Sequence, residues 1–125
     1  MKHIAAVLAL IIFAAPAGAA TIEDVRKAYE AGDFAVAFQD ARPLAEDGDV
    51  KAMTLLGLMY RWGDGIDTDT DEAIFWLRRS ADKNDAEAQL ALGMIYLDET
   101  AGRFDYDEGE SLLRRAAEEL SLIHI

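Results

Sequence analysis

Residues 56–60 read LGLMY, and residues 92–96 read LGMIY, 36 positions further along the chain. A segment that returns at a spacing of about 20 to 50 residues is typical of solenoids, in which supersecondary units of one kind stack in a row. The segment is rich in apolar residues, which suits a helix packed between neighbours. The period therefore predicts a stack of similar helical units.

The residues that begin and end the predicted helices follow the same period. Asp33, Asp69 and Asp105 are spaced 36 residues apart, each at the predicted start of the second helix of a unit. An aspartate there accepts hydrogen bonds from the free backbone amides of the first turn. Gly48 and Asn84 share the spacing, and both residue types tolerate the left-handed conformation that ends many helices. Each unit is therefore predicted to be a helix–turn–helix hairpin.

Apolar residues recur with helical periodicity between these boundaries. The first helix is predicted to follow Thr21, which forms a capping box with Asp24. Pro43 lies inside the second predicted helix, where it removes a backbone donor, so we expect a kink or a local break near Arg42. The remaining predicted helices cover residues 34–47, 50–62, 70–83, 86–97 and a stretch that begins near Tyr106.

The resulting prediction is an all-α fold, an α-solenoid of helix–turn–helix repeats preceded by a signal peptide. Residues 21–48 form a degenerate leading hairpin in this division. Residues 49–84 and 85–119 form the two full repeats.

The first twenty residues have the layout of a secretory signal peptide. Lys2 precedes an apolar run over residues 4–15, and Pro16 is followed by small residues at 17–20. Cleavage is expected after Ala19 or Ala20, which leaves no stable membrane anchor. A membrane anchor is the alternative, but the run is short for a hydrocarbon layer of about 30 Å. We therefore expect a periplasmic or secreted protein of a Gram-negative bacterium.

The last six residues depart from the repeat. The period predicts Gly or Asn at position 120, which is Leu120. Residues 120–125 also match the translation of a common transposon-derived sequencing adapter, CTG TCT CTT ATA CAC ATC, at every position. We interpret them as a sequencing-adapter artefact, and the chain as a fragment of a protein that continues beyond Glu119. The alternative is a short natural apolar tail.

Composition narrows the possible chemistry. The chain has 24 acidic and 12 basic residues and no cysteine. This net negative charge repels phosphate backbones, so nucleic acid is not an expected partner. The two histidines, His3 and His124, lie in the predicted signal peptide and tail. The intervening part therefore lacks the residues for Ser-His-Asp or Cys-His catalysis and for most zinc sites, while chemistry by paired carboxylates remains possible.

An acidic run at residues 67–72 resembles a calcium loop at first sight. An EF-hand needs Gly at the sixth position and an acid at the twelfth, but those positions hold Glu72 and Arg78. The run is interpreted instead as the acidic start of a helix. We predict no catalytic residue, no metal site and no cofactor.

At this level of detail the chain resembles the Sel-one-like repeat (SLR) family, a relative of the tetratricopeptide repeat. The match is close over residues 49–84. It is looser over residues 85–119, where Gly109 and Leu112 replace the family's Ala and Trp. The matching pattern is Ala52-x-x-x-Leu56-Gly57-x-x-Tyr60-x-x-Gly63-x-Gly65-Ile66-x-x-Asp69-x-x-x-Ala73-x-x-Trp76-Leu77-x-x-x-Ala81. The resemblance implies a right-handed solenoid with a concave groove and adaptor roles in exported bacterial proteins. Some exported members are linked to β-lactam binding or hydrolysis, but that group is rich in cysteine.

Candidate partner-binding residues lie outside the repeated inward stripe of each first helix. Exposed Trp and Arg side chains are enriched among binding hot spots, which points to the pair at the end of the third helix. The full set of candidates is Met53, Leu58, Arg61, Trp62, Gln89 and Met94.

These observations favour an exported, non-catalytic scaffold that binds a protein or peptide in the groove. One alternative is a carboxylate-dependent hydrolase acting on cell-wall or β-lactam-like substrates. A second is a periplasmic regulator of a membrane sensor.

Overall fold

The computed structural model describes residues 19–123, which form six α-helices and one short 3₁₀ turn at Glu99–Ala101. No strand occurs among these residues, and the all-α prediction is confirmed. The predicted signal peptide lies outside the described part except for Ala19 and Ala20. The helices are α1 (Ile22–Glu30), α2 (Phe34–Glu46), α3 (Val50–Trp62), α4 (Thr70–Ala81), α5 (Ala86–Leu97) and α6 (Tyr106–Ile123).

Residues 120–123 continue α6 as a helix. Their helical conformation does not bear on the origin of the sequence, so the adapter interpretation stays a prediction. Residues 124 and 125 lie outside the described part.

Side-chain caps start most of the helices at the predicted residues. Thr21 Oγ1 accepts a hydrogen bond from the Asp24 amide at 3.3 Å, and Asp24 Oδ2 accepts one from the Thr21 amide at 2.9 Å, which confirms the capping box. Asp69 and Asp105 each accept from the amide three residues later, both at 3.1 Å. Asp33 is an exception, because its side chain makes no cap hydrogen bond.

The tight α1–α2 turn explains the behaviour of Asp33. Its backbone amide donates to the Ala28 carbonyl at 2.8 Å, and its ψ of 64° departs from the extended value of the capping aspartates. This backbone conformation differs from that of the aspartates whose side chains cap a helix, which accounts for the missing cap hydrogen bond. At the other helix ends, Gly48 and Asn84 have φ values of 98° and 66°, so the predicted left-handed conformation is confirmed at both.

Each helix packs against the helices that precede and follow it in the chain. The apolar core is accordingly a row of three clusters, one after another along the stack. The first lies around Val25 and Met59, the second around Leu56, and the third around Leu77 and Leu92. Each cluster lies between neighbouring helices rather than in one central core, which is the arrangement expected of a repeat protein.

Glycine in the repeated segment permits close approach of two helices. A β-carbon at Gly57 would lie 2.6 Å from Leu77 Cγ and 3.2 Å from the Leu77 backbone nitrogen. In the next unit Gly93 faces Gly109, and a β-carbon on either would lie 3.1 Å from the carbonyl oxygen of the other. The two helices of each hairpin are therefore in close contact at the repeated glycine.

The local break expected near Arg42 does not occur. Helix α2 continues without interruption through Pro43 to Glu46. Gln39, whose carbonyl loses its usual amide partner to the proline, is exposed, as is Pro43 itself. Water can therefore solvate the freed carbonyl, while buried Ala41 and Ala45 hold the helix against its neighbours on either side of the proline.

We predict that the effect of Gly57→Ala on the free energy of unfolding depends on the size of the side chain at position 77. In the natural sequence the added methyl group collides with Leu77, so the free energy of unfolding should fall by about 1–2 kcal/mol despite the better helix propensity of alanine. In a Leu77→Ala background the collision with the side chain is absent, and the contact with the backbone nitrogen at 3.2 Å remains. The same substitution should then change the free energy of unfolding by less than about 0.5 kcal/mol, because the better helix propensity of alanine offsets that contact.

Urea denaturation of the four proteins in this cycle measures the coupling between the two positions. Equal effects of Gly57→Ala in both backgrounds would show that the two helices do not touch as described.

Candidate binding groove

A cavity of about 590 Å³ opens along the first helices of the three hairpins. Helices α1 and α3 supply most of its wall, and α5 adds Glu87 at one end. Its lining mixes partly exposed apolar side chains with charged ones on the rim. The lining residues are Ile22, Glu23, Arg26, Tyr29, Glu30, Lys51, Thr54, Leu55, Leu58 and Glu87. We call this cavity the groove.

A buried polar cluster lies beneath the groove, where α3, α4 and the start of α5 meet. Asp85 is 6% exposed and accepts a hydrogen bond from Thr54 Oγ1 at 2.8 Å. The same carboxylate caps α5 by accepting from the Ala88 amide at 3.1 Å. The hydroxyl groups of Thr54 and Ser80 are also hydrogen-bonded to each other. Lys51 closes the cluster from the solvent side, with Nζ 2.8 Å from Asp85 Oδ1.

This cluster does not follow the repeat. One period after Thr54 the chain has Leu90, and one period after Ser80 it has Ala116. The carboxylate itself does recur, because Asp49 stands one period before Asp85. Asp49 caps α3 through the Ala52 amide at 3.0 Å. The polar cluster is thus an addition to the shared cap, made at one junction of the described part.

Tyr29 on α1 joins the wall of the groove to the loop after α3. Its hydroxyl donates to Asp64 Oδ2 at 2.6 Å. Partial burial raises the pKa of Tyr29 to about 12, with further contributions from the hydrogen bond to Asp64 and from the charges of Asp64 and Glu87. The phenol is therefore held neutral and oriented towards the loop.

An arginine–tyrosine link recurs between successive hairpins. Arg42 Nη1 donates to the Tyr60 hydroxyl at 3.1 Å, and Arg78 Nη2 donates to the Tyr96 hydroxyl at 3.2 Å. In each pair the arginine lies on the second helix of one hairpin and the tyrosine on the first helix of the next. The repeated tyrosine thus has a polar role at its tip besides the packing role that its position in the segment predicts.

The structure places the predicted candidates in three different environments. Leu58 is half-buried and lines the groove, as expected. Met94 is 46% exposed on α5 but is not among the groove residues. Met53 and Gln89 are fully buried, so the expectation that they line the groove is wrong. Helices pack on two sides of α3 and α5, which removes these off-stripe positions from the surface.

Arg61 and Trp62 lie away from the groove, at the end of α3. Trp62 is 59% exposed, and Arg61 Cζ stacks 4.4 Å from the centre of its ring. Arg61 Nη1 also donates to the Ala91 carbonyl at 3.2 Å. Burial lowers the pKa of Arg61, and the negative charge of Asp98 offsets part of that decrease. These residues line a separate cavity of about 240 Å³. The candidates therefore do not form one surface, and their role in binding stays a prediction.

Several groove residues were not among the candidates. Tyr29 and Glu30 were missed because α1 belongs to the degenerate hairpin, which the period does not align. Leu55 and Glu87 lie beside the inward stripe of their helices. The sequence does set Leu55 apart in one respect. It is a large apolar residue, whereas the residue one period later, Ala91, is small.

Within residues 19–123 no group of three or more His, Cys, Asp and Glu side chains is arranged to hold a metal ion. Over the same range, none of the helices combines the length and the apolar character needed to cross a membrane.

Stacked hairpins with a groove along their first helices define a helical repeat protein of the solenoid class. More particularly, the Sel1 repeat model matches residues 50–85 and 86–119, and the chain belongs to the Sel1 repeat family. The crystal structure of a Sel1 repeat protein from Oxalobacter formigenes is similar, with 38% sequence identity and a TM-score of 0.61. The match covers 67% of this chain and 35% of that one, so this chain spans about a third of the length of its relative. Comparison with curated proteins gave no match.

Sel1 repeats generally mediate protein–protein interaction, and proteins of this family are typically non-catalytic scaffolds. Membership of the family therefore supports the prediction of a scaffold that binds other proteins. Partner and location do not follow from it.

We predict that Asp85→Ala lowers the free energy of unfolding by about 2 kcal/mol, because it removes a helix cap, one acceptor of the buried Thr54 hydroxyl and the partner of Lys51. The matched control is Asp49→Ala one period earlier. Asp49 caps its helix without a buried cluster, so this variant should lose about 1 kcal/mol. Urea denaturation compares the two, and equal losses would show that the cluster contributes nothing beyond the cap.

We predict that Tyr29 ionises at a higher pH than a tyrosine in an unfolded chain. Its folded pKa of about 12 exceeds the value of about 10 in an unfolded chain. Its contribution to stability is therefore complete below pH 10 and is lost as the pH rises from about 10 to 12. Absorbance titration of the phenolates should show a late step that disappears in Tyr29→Phe and moves towards 10 in Asp64→Asn. A Tyr29→Phe titration with the late step intact would contradict the assignment.

Proposed function

We propose that this chain is part of an exported scaffold that binds a protein or peptide partner in the groove, without catalysing a reaction. The observation that carries the proposal is the open cavity of about 590 Å³ along α1, α3 and α5. Membership of the Sel1 repeat family supports a protein partner. Export rests on the sequence alone, through Lys2, the apolar run over residues 4–15 and the small residues at 17–20.

The chemistry of the groove suits a folded or extended polypeptide. Ile22, Leu55 and Leu58 supply half-buried apolar surface, while Glu30 and Glu87 lie exposed at its edge. An apolar centre with a polar rim is the usual anatomy of a protein interface. Binding a partner would remove the apolar surface from water and leave the rim solvated.

Two acidic residues, Asp24 and Asp98, have shifted pKa values, and the direction of the shift gives no support to the hydrolase alternative. A general acid needs a carboxyl group whose pKa is raised towards neutrality. The pKa of Asp24 is lowered by its hydrogen bonds to Thr21, and the pKa of Asp98 by its hydrogen bonds to Thr100. These hydrogen bonds favour the charged form of both carboxyl groups, which is the opposite of what a general acid needs. Control of a membrane sensor would be one instance of partner binding in the same groove.

We predict that a photo-reactive benzoylphenylalanine at position 58 cross-links the partner in intact cells, because Leu58 lies in the groove. The matched control position is Val36 on α2, which is 49% exposed and apolar but outside the groove. Immunoblotting and mass spectrometry of the periplasmic fraction identify the adduct. Recovery from the cytoplasm only would contradict export, and equal adducts from both positions would contradict groove binding.

A second pair of variants separates the groove from the Trp62 surface. Leu58→Ser should weaken binding of the cross-linked partner, measured by calorimetry, whereas Val36→Ser should not. Trp62→Ala should also weaken binding if the partner extends to the end of α3. A loss with Trp62→Ala alone would move the binding surface from the groove to the cavity beside Arg61.

A further inference from the structure

The groove carries charges of both signs, but its free charge is negative. Its lining contains the cations Arg26 and Lys51 and the acids Glu23, Glu30 and Glu87. Which of these charges a ligand meets depends on which are already paired within the protein.

Both cations of the groove are already neutralised. Arg26 Nη2 lies 2.7 Å from Glu23 Oε1 and 2.6 Å from Glu23 Oε2, within one turn of α1. Lys51 Nζ lies 2.8 Å from Asp85 Oδ1, and that carboxylate is buried beneath the groove. A ligand anion would have to compete with these carboxylates for the cations, so the pairs disfavour an anionic ligand.

The remaining acids form no salt bridge, although after Glu23 and Asp85 they add to the raised pKa of the two cations, Glu30 to that of Arg26 and Glu87 to that of Lys51. Glu30 and Glu87 are exposed, and neither forms a salt bridge with any residue in the range 19–123. They stand on α1 and α5, on either side of the apolar residues Leu55 and Leu58 of α3. The lining thus combines an apolar centre with unpaired negative charge on both flanks.

We propose that the groove selects a cationic, amphipathic peptide segment, whose apolar side chains contact Leu55 and Leu58 and whose lysine or arginine side chains face Glu30 and Glu87. The inference rests on the proposed function and specifies the chemistry of the partner. The formal charge of the chain, −12, adds long-range attraction for such a segment and raises its rate of association.

The raised pKa of Tyr29 agrees with the negative charge of the groove. Burial is the largest cause of its raised pKa, and the charges of Asp64 and Glu87 raise it further.

Three fluorescein-labelled octapeptides test the proposal on the full chain. They alternate leucine with lysine, with serine or with glutamate. We expect the lysine peptide to bind at least about tenfold more tightly than the serine peptide at low ionic strength, and the glutamate peptide to bind weakest. Fluorescence anisotropy measures the affinities, and added salt should reduce the difference between the peptides.

Paired variants separate the groove charges from the net charge of the chain. Glu30→Gln with Glu87→Gln should weaken the lysine peptide about fivefold. The control, Asp82→Asn with Glu118→Gln, changes the net charge equally at exposed residues outside the groove. It should change binding by less than about twofold. Thermal melts followed by circular dichroism verify that both proteins are folded.

The outcomes distinguish the two proposals. If the lysine and serine peptides bind equally and both are weakened by Leu58→Ser, the groove binds peptides and the charge inference is overturned. The same holds if the groove and control variants lose equal affinity, because attraction would then come from net charge alone. If no peptide binds, or none depends on Leu58, the charge inference and the groove proposal both fail.

Discussion

At Gly57, α3 and α4 approach so closely that a β-carbon would lie 2.6 Å from Leu77 Cγ. This contact brings the two helices of one hairpin together, and Gly93 with Gly109 does the same in the next hairpin. Small residues at these positions let each hairpin remain thin enough to stack on its neighbour. Because each core cluster lies between neighbouring helices, the stack depends on this spacing being repeated.

The polar contacts that join the stacked hairpins differ in whether they follow the period. The arginine–tyrosine links recur with the period, at Arg42 with Tyr60 and at Arg78 with Tyr96. The cluster around Asp85 does not recur, because it needs hydroxyl groups where neighbouring units have apolar side chains. A recurring contact serves the architecture of the stack. The single cluster, in contrast, fixes one junction directly beneath the groove.

That junction also affects the charge that the groove presents to a ligand. Asp85 is buried and holds Lys51 at 2.8 Å, so a cation that faces the cavity is already neutralised from below. Arg26 is paired instead with Glu23, an exposed neighbour on the same helix. A structural salt bridge thus leaves the neighbouring acids, Glu30 and Glu87, as the charges that a partner meets.

The amino-acid sequence by itself determined the local features of this protein. Helix starts at Thr21 and Asp69, the left-handed ends at Gly48 and Asn84 and the glycine contact at Gly57 were predictable, because each depends on residues close in the chain or on the period. The uninterrupted helix through Pro43 was not, since it depends on which side of α2 faces water.

Exposure was decided only by the tertiary structure. Helical periodicity shows which residues share a face, but it does not show how many faces of a helix are covered. Met53 and Gln89 are buried because α3 and α5 are packed by neighbours on more than one side. Tyr29 and Glu30 reach the groove because α1 packs beside α3, across a turn that the period does not describe. The repeat can therefore be recognised in the sequence, whereas the groove and its charge arise only from the stacking of the hairpins.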